Sequence, residues 1–185
     1  MRYILGVLAT IFILIAVIFW ALSGGPSEVV EEDDAAKLST YADSSAKVSY
    51  EVRGEIVANE EHQSIRFTID RNQRVFEVFD GYQKKVIKKK TFSNNSKAYE
   101  EFIYALDRAG FINQQEADFD TEKGVCPEGN VMVYKLADQG EDISRLWSGS
   151  CDDEAGTFGG DDDDVEDLFE AQIPDYRDIA RDVNL

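Results

Sequence analysis

The chain has one histidine, two cysteines and three prolines in 185 residues. Each scarcity excludes something. With His62 the sole histidine and no CxxC spacing, a four-ligand zinc site lacks partners. A catalytic thiol would have only that one imidazole as its base. GxSxG, HExxH, the Walker loop and GxGxxG are all missing, so the sequence carries none of those signatures of catalysis or nucleotide binding. Positive charge is scarce too: 19 Lys and Arg stand against 37 Asp and Glu, a net charge of −18. Such a chain repels nucleic acid, and no basic face interleaved with aromatics offers bases a stacking platform.

Charge of either sign is missing between Arg2 and Glu28. The run "YILGVLATIFILIAVIFWAL", residues 3–22, is almost pure hydrocarbon, and about 1.5 Å of rise per residue makes it roughly 30 Å of helix, one bilayer core. Tyr3 and Trp20 stand near its ends, where amphipathic aromatics favour the interface. A cleaved signal peptide is the competing reading, because Ala21 and Ser23 are spaced for a cut after Ser23. The apolar run exceeds the h-region of about 7–15 residues typical of such peptides, which favours a retained anchor. Arg2 precedes the span, and no Lys or Arg follows it until Lys37. The expectation is a single-pass protein of the cell membrane, N-terminus cytoplasmic and residues 24–185 outside.

Two cysteines could be a redox pair, half a metal site or a disulfide. Outside the cytoplasm disulfides persist, and two cysteines form one bond with none left over. A hairpin centred near Asp138 and Gln139 pairs positions summing to about 277, as Cys126 and Cys151 do. A Cys126–Cys151 disulfide clamping the open end of that hairpin is expected.

The remaining pattern divides the chain into an anchor (1–23), an acidic flexible stalk (24–46) and an extracytoplasmic domain (47–185). From Val48 the apolar period is two: Val48, Tyr50, Val52 and Ile56 on one face, then Ile65, Phe67 and Ile69, then "RVFEVF". Asp80-Gly81 signals a type I′ hairpin into a fourth strand, "YQKKVIKKKTF". Tyr99, Phe102, Ile103, Leu106 and Ala109 recur at helical spacing, with Asn94, Asn95 or Ser96 to cap and Gly110 to stop. A second helix, "VEDLFEAQ", ends at Pro174. The expected fold is α+β: a four-stranded antiparallel meander plus the disulfide-clamped hairpin, with one main helix packed on the sheet. The order meander, "NNSKAYEEFIYALDRAGF", cysteine hairpin, "GTFGG", "LFEAQIPDY", over roughly residues 48–178, resembles small single-pass extracytoplasmic proteins of small-genome bacteria. No activity attaches to that group, so the resemblance implies placement only.

Charge is segregated. Residues 71–97 hold eight basic and two acidic side chains; residues 150–185 hold thirteen acidic and two basic. Lys84, Lys85, Lys88, Lys89 and Lys90 crowd the fourth strand. Lysines of both parities mark an edge strand guarded against aggregation, or a surface for an anionic partner: a lipid headgroup, a wall polymer or an acidic envelope protein. Asp152, Asp153 and Asp161, Asp162, Asp163 and Asp164 surround a glycine loop. They read as acids at a helix N-terminus or as oxygen ligands for calcium, though the EF-hand order is missing. No other cofactor is indicated. His62 reads as a solvated or capping residue in a polar turn. At least one of Phe76, Phe79 and Tyr82 should lie off the core face. The functional expectation is a non-catalytic binding or scaffolding module of the cell envelope. The alternative is a carboxylate-dependent hydrolase of polysaccharide or wall polymer, needing two acids about 5–10 Å apart.

Overall fold

A computed structural model describes residues 37–151 and 155–185. The expected anchor at residues 3–22 lies outside the described residues, as do 24–36 of the stalk and Asp152 and Asp153. Among the described residues no helix is long and apolar enough to cross a membrane.

Six strands follow the period-two pattern: β1 (Lys47–Arg53), β2 (Gln63–Ile69), β3 (Gln73–Asp80), β4 (Lys85–Ser93), β5 (Val131–Asp138) and β6 (Glu141–Gly149). They form one sheet in the order β4-β3-β2-β1-β5-β6. Every neighbouring pair is antiparallel. The hairpin β5-β6 returns to pair with β1, so β4 and β6 are the edges. β4 is the lysine strand, and its edge position accounts for charge on both of its faces.

Alternation gives the sheet two unlike faces. On one, Val48, Tyr50, Val52, Ile65, Phe67, Ile69, Phe76, Val78, Tyr134, Leu136 and Leu146 join a single core. Three helices bear on that core: α1 (Ser96–Arg108), α2 (Asp162–Glu170) and the single turn α3 (Tyr176–Ile179). α1 buries Tyr99, Phe102, Ile103 and Leu106, while α2 buries Val165 and Phe169. Phe169 is the hub, with ring centroids 5.5 Å from Tyr50, 5.2 Å from Phe102 and 5.7 Å from Phe111. Two helices therefore cover the sheet where one was expected. α1 begins at Asn95, whose side chain accepts from the Ala98 amide. It ends at Gly110 (φ 74°), where the Phe111 amide donates back to the Leu106 carbonyl, a Schellman closure.

Several local expectations are revised. Asp80-Gly81 is not a two-residue turn: Asp80 pairs with Lys85, and Gly81 to Lys84 form a four-residue loop. Ile56 falls beyond the end of β1 and is 51% exposed. The hairpin β5-β6 runs in register Val131↔Gly149 and Leu136↔Ser144, sums of 280 rather than 277. The disulfide Cys126–Cys151 forms nevertheless, with Cα atoms 5.6 Å apart. Cys126 reaches it from a turn ahead of β5, with φ 50°, not from a ladder position. Leu38, Ala42 and Ala46, within the span assigned to the stalk, are buried in the core around a 3-10 turn, Leu38–Tyr41.

The stretch "GTFGG" is a strap. Phe158 stacks on Tyr134 at 3.8 Å and pairs with Gln114 in an isolated bridge. A Cβ on Gly156 would lie 2.1 Å from the Trp147 carbonyl oxygen, so only glycine lets the strap run this close to β6.

Candidate functional site

Among the described residues, no helix lies on the second face of the sheet. Its floor follows from register. Ser49 and Glu51 on β1 lie opposite Thr68 and Arg66 on β2, and opposite Lys135 and Val133 on β5. Arg145 on β6 lies opposite Lys135. Small side chains at Ser49, Thr68 and Ala137 are ringed by long ones at Lys47, Arg66, Lys84, Lys135 and Arg145. Short residues inside a rim of long ones make a depression, and its volume is about 350 Å³.

The far end of this face is covered by the segment 112–130. Val125, Cys126, Val131, Val133 and Trp147 form a small second apolar cluster, with Ala117 and Cys151 packed against it. The disulfide ties that segment to the end of β6. The Ile56 amide donates to the Pro127 carbonyl and stitches it to the β1 side. One carboxylate of the covering segment, Glu122, reaches the open half: Arg53 lies 3.2 Å from it and Arg145 2.5 Å.

Glu51 is the buried centre of the rim, only 6% exposed. Arg53 Nε donates to Oε1 at 2.6 Å, and Arg66 donates to Oε2 through Nε at 2.8 Å and Nη2 at 2.5 Å. Lys84 Nζ donates to Oε1 as well. Lys84 sits at positive φ (56°), the last residue of the four-residue loop, which delivers its side chain to β1. Arg66 also lies over the Phe79 ring at 4.8 Å, and Phe79 is the aromatic that leaves the core face. Burial alone would raise the Glu51 carboxyl. Hydrogen bonds from Lys84 and Arg53, with the charges of Arg53 and Arg66, overcome that and hold it at about 2. Burial opposes Glu122 similarly, and Arg145 with Arg53 brings it to about 2. Burial is the leading influence on Lys84, drawing its ammonium below the usual range against the pull of Glu51.

The rim remains cationic after its internal pairs are formed. Six cations line the depression: Lys47, Arg53, Arg66, Lys84, Lys135 and Arg145. Three carboxylates pair with them: Glu51, Glu122 and Asp142, the last 2.7 Å from Lys135. Among the described residues the excess is three positive charges in one concavity, on a chain whose net charge is −18.

The five lysines Lys84 to Lys90, expected from their mixed parity to charge both faces of an edge strand, do lie on both. Lys84 enters the depression. Lys89 lies on the same face but pairs with Glu77 at 2.7 Å, and Lys85 is exposed at the start of β4. Lys88 and Lys90 pair in register with Val78 and Phe76, on the helix-bearing side, where Lys88 Nζ donates to the Ile179 carbonyl at 2.8 Å. Sequence reasoning missed Lys47, Arg53, Arg66, Lys135 and Arg145, because β5 and β6, which carry the last two, lie far along the chain from β1 and β2. The one signal available was alternation, since Arg53, Arg66 and Lys135 all occupy the polar parity of their strands.

The aspartates at 161–164 open α2. Asp161 caps it by accepting from the Asp164 amide at 2.9 Å. Asp162 Oδ1 accepts from Ser148 Oγ at 2.6 Å and from the Tyr134 hydroxyl. No group of three metal-ligating side chains gathers among the described residues. His62 is buried rather than solvated. Its Nδ1 is 3.1 Å from the Glu55 carbonyl oxygen, and its ring stacks on Tyr82 at 4.1 Å. Glu166 and Glu170, one turn apart on α2, are raised above the usual carboxylate range by partial burial and by neighbouring acids.

Among the described residues, fold and site together define an antiparallel α+β domain with one helix-covered face and one open face bearing a cation-lined depression. Neither a family model nor a curated protein matches this chain.

Proposed function

We propose that this protein is a non-catalytic binding module of the cell envelope. Residues 3–22 hold it in the cell membrane, N-terminus inside and domain outside, and the open sheet face engages an anionic partner. The observation that carries the reading is the excess of three positive charges in the depression, on a chain that is otherwise strongly acidic. Like charge elsewhere repels anions, so the depression is where an anion gains most from contact. The disulfide agrees with a domain outside the cytoplasm. The test is lysine-reactive crosslinking in intact native membranes with identification of the joined peptides. Links from Lys47, Lys84 or Lys135 to an envelope component support the module. Links confined to the chain itself refute a macromolecular partner at this face.

A second reading has one observation in its favour. Glu170 is raised above its ordinary range beside Tyr176, in a surface groove shared with Asp167 and Asp178. A carboxylate-dependent hydrolase would use such an acid as its proton donor. Release of reducing ends from wall polysaccharide, abolished by Glu170→Gln, would establish it.

A further inference from the structure

The depression offers more than a diffuse positive field, and what lies at its floor narrows the kind of anion it suits. Ser49 and Thr68 face each other across β1 and β2 and are partly exposed. Neither hydroxyl has a hydrogen-bond partner among the described residues. Lys47, at the start of β1, is exposed and has no ion-pair partner among them. Two hydroxyl donors and an ammonium without an ion-pair partner among the described residues thus line the same depression. On one side Arg66 is oriented by the fixed Glu51 carboxylate, with Nε and Nη2 engaged, so its remaining N–H groups project from a locked plane. On the other side Lys135 and Arg145 are steadied by Asp142 and Glu122.

We propose that this depression binds the phosphoryl group of a small phosphate monoester, a dianion attached to a sugar-sized polar body. The inference rests on the reading of the open face as an anion-binding surface and adds the chemical class. Three features select that class. A monocarboxylate would leave two of the three excess charges uncompensated, while a phosphate dianion leaves one. A phosphoryl group presents several acceptor oxygens in different directions, matching hydroxyls below and cations on two sides; a carboxylate presents two in one plane. Guanidinium planes and lysine ammonium groups are the usual phosphate-recognition pair. The volume of about 350 Å³ lies at the lower end of small-molecule sites and exceeds what one phosphoryl group fills, leaving room for the attached group. Glu51 and Glu122 act here as positioning residues: they fix the Arg66 and Arg145 side chains beside the cavity.

The test is calorimetric titration of the full chain, dispersed in neutral detergent at low ionic strength. The titrants are inorganic phosphate, a hexose phosphate, glycerol phosphate and acetate. Saturable heats are expected for the phosphates, with the hexose phosphate at least tenfold tighter than inorganic phosphate and acetate at least tenfold weaker than either. If inorganic phosphate binds as tightly as the esters, the site is one for the free ion and the sugar-sized body is refuted. Lys47→Ala and Thr68→Val alter an exposed and a partly exposed side chain that hold no hydrogen bond or ion pair among the described residues. Each should weaken the hexose phosphate tenfold or more with an unchanged melting temperature. Unaltered affinity in both variants would overturn the placement, as would the absence of saturable heat with every phosphate. If phosphates fail while Lys47 or Lys84 still crosslinks to an envelope component, the chemical class falls and the binding-module reading stands. If both fail, the open face is not a binding surface.

Discussion

Replacing Glu51 with glutamine removes the one buried negative charge around which Arg53, Arg66 and Lys84 are arranged. The carboxyl is brought from the usual 4.5 to about 2 in the folded protein. At about 1.4 kcal/mol per unit, that difference corresponds to roughly 3 kcal/mol of folding free energy at neutral pH. The three cations are each about a quarter to a third exposed. They regain water when the carboxylate goes, so the expected loss is nearer 2 kcal/mol than the 3–5 kcal/mol seen when a fully buried pair is broken. For a domain of this size that lowers the melting temperature by about 4–8 °C. The same residue sets a pH dependence. Its folded value lies below its unfolded value, so the unfolded chain takes up the proton first on acidification. The contribution is complete above about pH 4.5 and disappears as pH falls toward 2. Denaturant melts of both proteins at pH 7, 4.5, 3 and 2 should therefore show stabilities that differ at neutral pH and converge in acid. A difference under 0.5 kcal/mol at pH 7, or one that stays constant down to pH 2, would refute the argument that Glu51 is held ionised by the rim.

Other outcomes follow from single residues. Phe169→Ala empties the point where Tyr50, Phe102 and Phe111 meet and should cost about 3–5 kcal/mol by chemical denaturation. Reduction of Cys126–Cys151, which closes a separation of 25 residues, should lower stability by about 3 kcal/mol on the chain-entropy account, read from melts with and without reductant. Thiols of the native protein should resist alkylation until reductant is added; free reaction beforehand contradicts both the bond in the cell and the extracytoplasmic placement. Asn95→Ala leaves the Ala98 amide at the start of α1 without its acceptor and should cost about 1 kcal/mol.

The sheet was legible because alternation is a local signal. Val48, Tyr50 and Val52 announce a face by themselves, and Tyr99 to Leu106 announce a helix. The turn after Asp80 was misread because the Asp-Gly pair is sufficient for a two-residue hairpin in isolation, whereas here Lys84 is drawn onward to Glu51. The cysteine pairing followed from a sum of residue numbers, although the strand register differs by three and Cys126 approaches from a turn. The site was largely illegible. It depends on β5 returning to lie beside β1, which brings Lys135 and Arg145 to Arg53 and Arg66 from about eighty residues away. The mixed parity of the lysines of β4 was legible as charge on both faces of an edge strand, but parity alone gives no sign that Lys84, in the loop before it, reaches Glu51.

The central claim is that the open face is occupied by an anionic partner outside the membrane. The most direct measurement is quantitative lysine acylation by a membrane-impermeant reagent, on intact cells and on the purified full chain. Lys97 on α1 and Lys85 on the edge strand should react equally in both, which reports that the domain is outside. Lys47 and Lys135 should be protected in cells and reactive in the purified protein. Equal labelling of all four lysines in both samples would contradict occupancy of the depression, and labelling of none in cells would contradict the orientation on which the account rests.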